Sequence, residues 1–154
     1  MSFDYSLDFE TIDFRQHPEL YRIGKGEQGV LLVEPYKSEI LPHWRFKTPD
    51  IARESARKIY EMFLAYKASN DFVGMDMARK FLQMGYTRSR RYANHKSGRK
   101  YRKGTREVLE REQDPVKAES ADIFHEKWKK AREDKDYLEM KKRHRELYEA
   151  GTKP

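Results

Sequence analysis

Apolar positions along the chain follow three different rhythms. Residues 3–20 interleave large apolar side chains (Phe3, Tyr5, Leu7, Phe9, Ile12, Phe14) with acids and fit neither a helical nor a strand period. They predict an N-terminal arm laid over the core by its aromatic rings. Residues 20–47 read as extended. Leu20-Tyr21-Arg22-Ile23 and Val30-Leu31-Leu32-Val33-Glu34 are expected strands, and Gly24-Lys25-Gly26-Glu27-Gln28-Gly29 between them is the expected hairpin turn. His43-Trp44-Arg45-Phe46-Lys47 alternates with period two, so Trp44 and Phe46 should face the core while His43, Arg45 and Lys47 face solvent.

The third rhythm is helical. Thr48-Pro49 supplies an N-cap and a first-turn proline, and the stripe Ala52, Ala56, Ile59, Tyr60, Phe63, Leu64 predicts a helix over 49–68. Ser69-Asn70-Asp71 is a short turn. A second helix is expected over 72–84, apolar at Phe72, Met75, Ala78, Phe81 and Leu82, with Gly85 as its C-cap. Asp114-Pro115 starts another helix, with Ile123, Phe124, Trp128 and Ala131 in its stripe. A turn at 133–136 leads to a last helix over 137–150. The two hairpins rhyme weakly, Ile59 with Phe124 and Phe63 with Trp128, which makes two similar units and falls short of a repeat array. The expected fold is therefore one α+β domain over 1–154, mainly helical, with two helical hairpins and a small N-terminal antiparallel β-hairpin or three-stranded sheet. It divides into an arm (1–19), a β-region (20–47), a helical hairpin (48–86), a basic segment (87–106) and C-terminal helices (107–154).

Composition narrows the class. With 37% hydrophobic and 38% charged residues among 154, the apolar supply is lean, and 13% aromatics imply a small, ring-rich core rather than a chain disordered throughout. The absence of cysteine removes disulfides, thiolate zinc ligands and thiol catalysis. No run approaches the ~20 apolar residues of a membrane helix. The first ten residues carry acids and no base, unlike a secretion or transit leader. A soluble cytoplasmic protein without a membrane partner is expected.

Charge changes the picture most. Residues 87–106 hold nine Lys or Arg and no acid, against a net −2 for the rest of the chain. Such concentration points to a polyanionic partner: nucleic acid or another phosphate-bearing ligand. Arg88, Arg90, Arg91, Lys96, Arg99, Lys100, Arg102 and Lys103 supply the charge, and Tyr92, Asn94, His95 and Tyr101 supply rings and hydrogen-bonding groups for unpaired bases. Arg45 and Lys47 on the exposed face of their segment are the second candidate contacts. The glycine run fits G-x-G-x-x-G, but that fingerprint needs a strand–turn–helix context, so a plain hairpin turn that binds no nucleotide is expected. His125-Glu126 opens an H-E-x-x-H that Lys129 breaks, and the remaining histidines lack ligand spacing, so neither metal nor cofactor is expected. The best enzymatic constellation pairs Glu34 with His43, beside Arg45, Lys47, Arg53 and Arg57.

The runs Gly26-Glu27-Gln28-Gly29-Val30-Leu31-Leu32-Val33-Glu34-Pro35-Tyr36-Lys37-Ser38-Glu39-Ile40-Leu41-Pro42-His43-Trp44-Arg45-Phe46-Lys47-Thr48-Pro49 and Asp71-Phe72-Val73-Gly74-Met75-Asp76-Met77-Ala78-Arg79-Lys80-Phe81-Leu82-Gln83-Met84-Gly85-Tyr86-Thr87-Arg88, continuing to Tyr101, are distinctive wording. In them the chain resembles the domain-of-unknown-function 4385 family of small cytoplasmic proteins. The resemblance covers most of the chain and implies a single compact domain. It assigns no activity, so function rests on the residues. Nucleic-acid binding through 87–106 is the first expectation. A small enzyme on a phosphorylated or nucleotide substrate and a helical protein-interaction module are the alternatives.

Overall fold

The computed structural model describes residues 2–94 and 114–149, and among these the architecture is entirely helical. A short helix α1 (Tyr36–Ile40) precedes α2 (Pro49–Ala68), α3 (Phe72–Asn94), α4 (Pro115–Glu133) and α5 (Lys135–His144), the last continued by a π-turn, Arg145–Glu149. No strand or sheet occurs among the described residues, so the expected α+β class and its hairpin or three-stranded sheet are overturned.

The reason lies in backbone bonding and in spacing. Hydrogen bonds in the region close locally: Val30 N–H to Glu27 O, Leu32 N–H to Gly29 O and Lys37 N–H to Val33 O. Val30, Val33, Tyr36 and Ile40 are the buried positions, three or four apart, whereas a strand would have buried alternate residues. The segment around Trp44 is extended without a partner. It keeps its alternation, Trp44 and Phe46 packing on the core while His43, Arg45 and Lys47 stay exposed. At Gly29, φ is +78° and a Cβ would stand 2.2 Å from the Phe3 ring, so the N-terminal arm lies directly on this turn.

Helix α2 starts as its sequence dictates, Thr48 Oγ1 accepting from Ile51 N–H with Pro49 in the first turn. Helix α3 does not end at Gly85; it runs nine residues further, to Asn94. Gly85 is there for close approach rather than for termination, because the Phe124 ring of α4 fills the space a side chain would need, 2.4 Å from an ideal Cβ. Asp114 caps α4 through the N–H groups of Val116 and Lys117, and Asp134 caps α5 through Tyr137 N–H, which starts that helix before residue 137. Helix α3 is buried from Phe72 through Leu82, between α2, α4 and the arm. Phe3 and Phe14 from the arm enter the core, as do Phe63, Phe81, Phe124 and Tyr137. No helix among the described residues is long and apolar enough to cross a membrane.

Candidate functional site

Charged residues in the middle of α3 form the polar heart of the molecule. Asp76, Arg79 and Lys80 occur at i, i+3, i+4 inside an apolar run and are all buried. Asp76 accepts from the hydroxyls of Tyr21 and Tyr137 and from Arg79, whose Nη2 lies 2.6 Å from Asp76 Oδ1. Burial alone would raise the Asp76 carboxyl, but the Arg79 and Lys80 charges and the two hydroxyls outweigh it and hold the group well below the usual carboxylate range. Arg79 reaches on to the Gly26 carbonyl and to Gln83 Oε1. Lys80 donates to Gln28 O at 2.6 Å and stands over the rings of Tyr21 and Phe3. Burial, reinforced by Arg79 and opposed by Asp76, pushes its ammonium down to about 7. The glycine loop, 24–29, is thus fastened to α3 by two buried cations binding its carbonyls. The role of these three residues does not follow from the apolar stripe of α3. Their signal was an acid and two bases, one helical turn apart, interrupting an otherwise apolar stretch.

The expected phosphate contacts gather at the far end of the same helix. Arg90 and Arg91 are exposed on its last turns, with Arg88, Tyr92 and Asn94 half-buried beside them. The Tyr92 ring packs against Phe46 at 6.2 Å, bringing the Arg45–Lys47 segment alongside the end of α3. Lys117 of α4 donates to Lys47 O at 2.7 Å and fixes that segment from the other side. None of Arg45, Lys47, Arg88, Arg90 or Arg91 forms an ion pair among the described residues. Glu27 feels Arg88 and Arg91 at a distance, and burial raises its carboxyl. Asp114 N–H donates to Ala93 O at 2.8 Å, so the start of α4 meets the end of α3 at this place. His95, Lys96, Arg99, Lys100, Tyr101, Arg102 and Lys103 lie outside the described residues.

The enzymatic constellation is dispersed. Glu34 accepts from Ser38 N–H and Ser38 Oγ and sits 3.8 Å from Lys37, stabilising the start of α1. His43 lines a shallow groove with Arg45, Glu54 and Arg57, to which Glu34 does not contribute. Arg57 is paired with Glu54 and Glu61, and Arg53 with Asp50 and Glu119. Arg45 is the unpaired arginine of this groove, but without an imidazole–carboxylate contact the described residues give it no general acid–base pair. A second pocket, about 560 Å³, lies elsewhere, between the α2–α3 turn and α5, with Arg15, Asp71, Phe72, Arg143 and His144 in its wall. There His144 Nε2 donates to Tyr21 O at 2.8 Å, and burial lowers its pKa, which favours the neutral ring. No cluster of three metal-ligating side chains occurs among the described residues.

No curated protein and no solved structure matches the chain. A family model described as a domain of unknown function, DUF4385, matches residues 4–147, nearly the whole length, and the chain belongs to that family.

Proposed function

We propose that this is a cytoplasmic nucleic-acid-binding protein that contacts phosphates, without strong sequence choice, through the end of α3, the adjoining Arg45–Lys47 segment and the basic stretch 87–106. The observation that supports the reading is the Phe46–Tyr92 contact, which sets the Arg45–Lys47 segment beside the last turns of α3. These two stretches hold four exposed cations, Arg45, Lys47, Arg90 and Arg91, with no carboxylate partner among the described residues. Arg53 and Arg57 on the exposed side of α2 are, by contrast, neutralised by carboxylates. An exposed salt bridge is worth little to stability, so unpaired cations cost the fold little and remain available to a polyanion.

The test is salt-dependent binding of labelled duplex DNA and single-stranded RNA. Each phosphate contact should contribute about −0.9 to the log–log salt slope on duplex and about −0.7 on single strands. Replacing Arg90 and Arg91 by Gln should flatten the slope by up to two contacts and leave the melting temperature unchanged. Absence of binding to either polymer at ~50 mM salt, where phosphate contacts are strongest, defeats the reading.

A further inference from the structure

A second cationic site lies away from that surface, where the glycine loop meets α3, α4 and α5. A pocket of about 240 Å³ opens there, walled by Gly24, Gly26, Arg79, Gln83, Arg132 and Lys141. One cation comes from each of three helices. The positive charge of Arg79 is already met by Asp76. Arg132 and Lys141 form no ion pair among the described residues, although α4 and α5 are rich in acids. Convergence of like charges is unfavourable unless an anion joins them. Lys141 registers the strain: burial, Arg145 and Arg79 together lower its pKa.

The two free cations are also held in a form suited to phosphate. The Arg132 guanidinium lies on the Trp128 ring, 4.3 Å from its centroid, and Tyr86 stacks on the same indole at 5.6 Å. Such a stack occupies the face of the guanidinium and leaves its in-plane N–H groups for a bidentate contact. Gln83 Oε1 is taken by Arg79, so its amide presents only N–H donors beside Gly26. The Tyr137 hydroxyl, also in the wall, is spent on Asp76. Among the described residues no carboxylate lines the pocket, and its free groups are overwhelmingly donors. A volume of about 240 Å³ falls below the ~300–1,000 Å³ usual for drug-sized ligands, which excludes a dinucleotide and suits a phosphate on a small body.

We propose that this pocket binds a small phosphomonoester, Arg132 and Lys141 holding the phosphate and Gln83 and the glycine loop closing over its neighbour. The glycine run thereby acquires a role its expected hairpin setting denied it: in the fold it is a loop between turns, pinned open by Arg79 and Lys80. The site shares no residue with the nucleic-acid surface, so each stands or falls separately.

Calorimetry with ribose 5-phosphate, inorganic phosphate and ribose tests it. Ribose 5-phosphate should bind saturably, phosphate more weakly and ribose not at all. The Arg132→Gln/Lys141→Gln variant should lose at least about tenfold in affinity, since charge-assisted bonds are removed. Both side chains are at the surface of the pocket, and a thermal melt checks that the variant folds; Lys141→Gln alone serves if it does not. Lys129→Gln, on α4 outside the pocket, should leave binding unchanged. The proposal is overturned if neither phosphate saturates by about 10 mM, far weaker than a millimolar site. It is equally overturned if the pocket variants bind as the parent does, or if Arg90→Gln/Arg91→Gln abolishes binding instead.

Discussion

The Phe124 ring of α4 occupies the position that a side chain at Gly85 of α3 would need, its Cδ1 2.4 Å and Cε1 2.6 Å from an ideal Cβ. Two opposing effects meet at this residue. Alanine would favour the helix by about 1 kcal/mol over glycine. Overpacking typically costs 1–3 kcal/mol, and the Phe124 ring is fully buried, with no room to withdraw. Gly85→Ala should therefore lower stability by about 1–2 kcal/mol in a urea titration. A net gain would show that α4 slides freely along α3.

Asp76 balances two buried cations. Asp76→Asn keeps the shape and removes the charge, leaving Arg79 and Lys80 uncompensated, so a loss of about 3–5 kcal/mol is expected. Adding Lys80→Met should recover part of it, because one of the stranded charges disappears. Additive losses in the double variant would mean that Lys80 and Asp76 do not interact across their 3.9 Å separation.

These two sites show what could be read from the chain and what could not. The helix starts at Thr48 and Asp114 were legible because capping is chemistry between neighbours in sequence, whereas Asp134 read as part of a turn and its cap did not show. The aromatic arm was legible too: Phe3 and Phe14 go where their size sends them. Gly85 was not, since a glycine that ends a helix and one that admits a ring from another helix look alike in sequence. The missing sheet has a similar cause. Val30-Leu31-Leu32-Val33 suits a strand by composition, yet only its first and last residues are buried, a choice made by Phe3 and α1 from outside the segment. At the candidate surface, the charge was visible and the joining of Arg45 and Lys47 to the end of α3 was not. It depends on Phe46 meeting Tyr92, 46 residues away.

Stability should rise with pH between about 7 and 10, and Lys80 is the cause. Burial holds its folded pKa at about 7 against an ordinary 10.5. In that interval the unfolded chain carries a proton that the native protein has released, so unfolding becomes less favourable as pH increases, by at most about 1.4 kcal/mol per unit. The gain is lost as pH falls through 7. Tyr21 and Tyr137, both raised by burial, reverse the trend above their ordinary value of 10.0, because the unfolded chain then loses protons first. His144, lowered by burial from 6.5, acts only on the acid side. Urea midpoints across pH 7–10 should climb for the parent and climb distinctly less for Lys80→Met, where only the lowered Lys141 remains to contribute; a parallel climb in both would assign the effect elsewhere.

Phe46→Ala separates a positioned surface from mere net charge. The ring is half-buried and touches Trp44 and Tyr92 at centroid distances of 5.0 and 6.2 Å. Its removal should cost roughly 1–2 kcal/mol, less than the ~3–5 of a fully buried phenylalanine such as Phe63. The protein stays folded and its net charge is unchanged. Arg45 and Lys47, however, lose the contact that holds them beside Arg90 and Arg91. If those four cations act as one surface, the salt slope on duplex DNA should flatten by up to about 1.8, two contacts at about 0.9 each, and affinity at low salt should fall with it. A basic tail acting alone would keep the parent's slope, since every charge is still present. An unchanged slope in a folded Phe46→Ala variant would thus remove Arg45 and Lys47 from the interface and leave the end of α3 and the basic segment to bind by themselves.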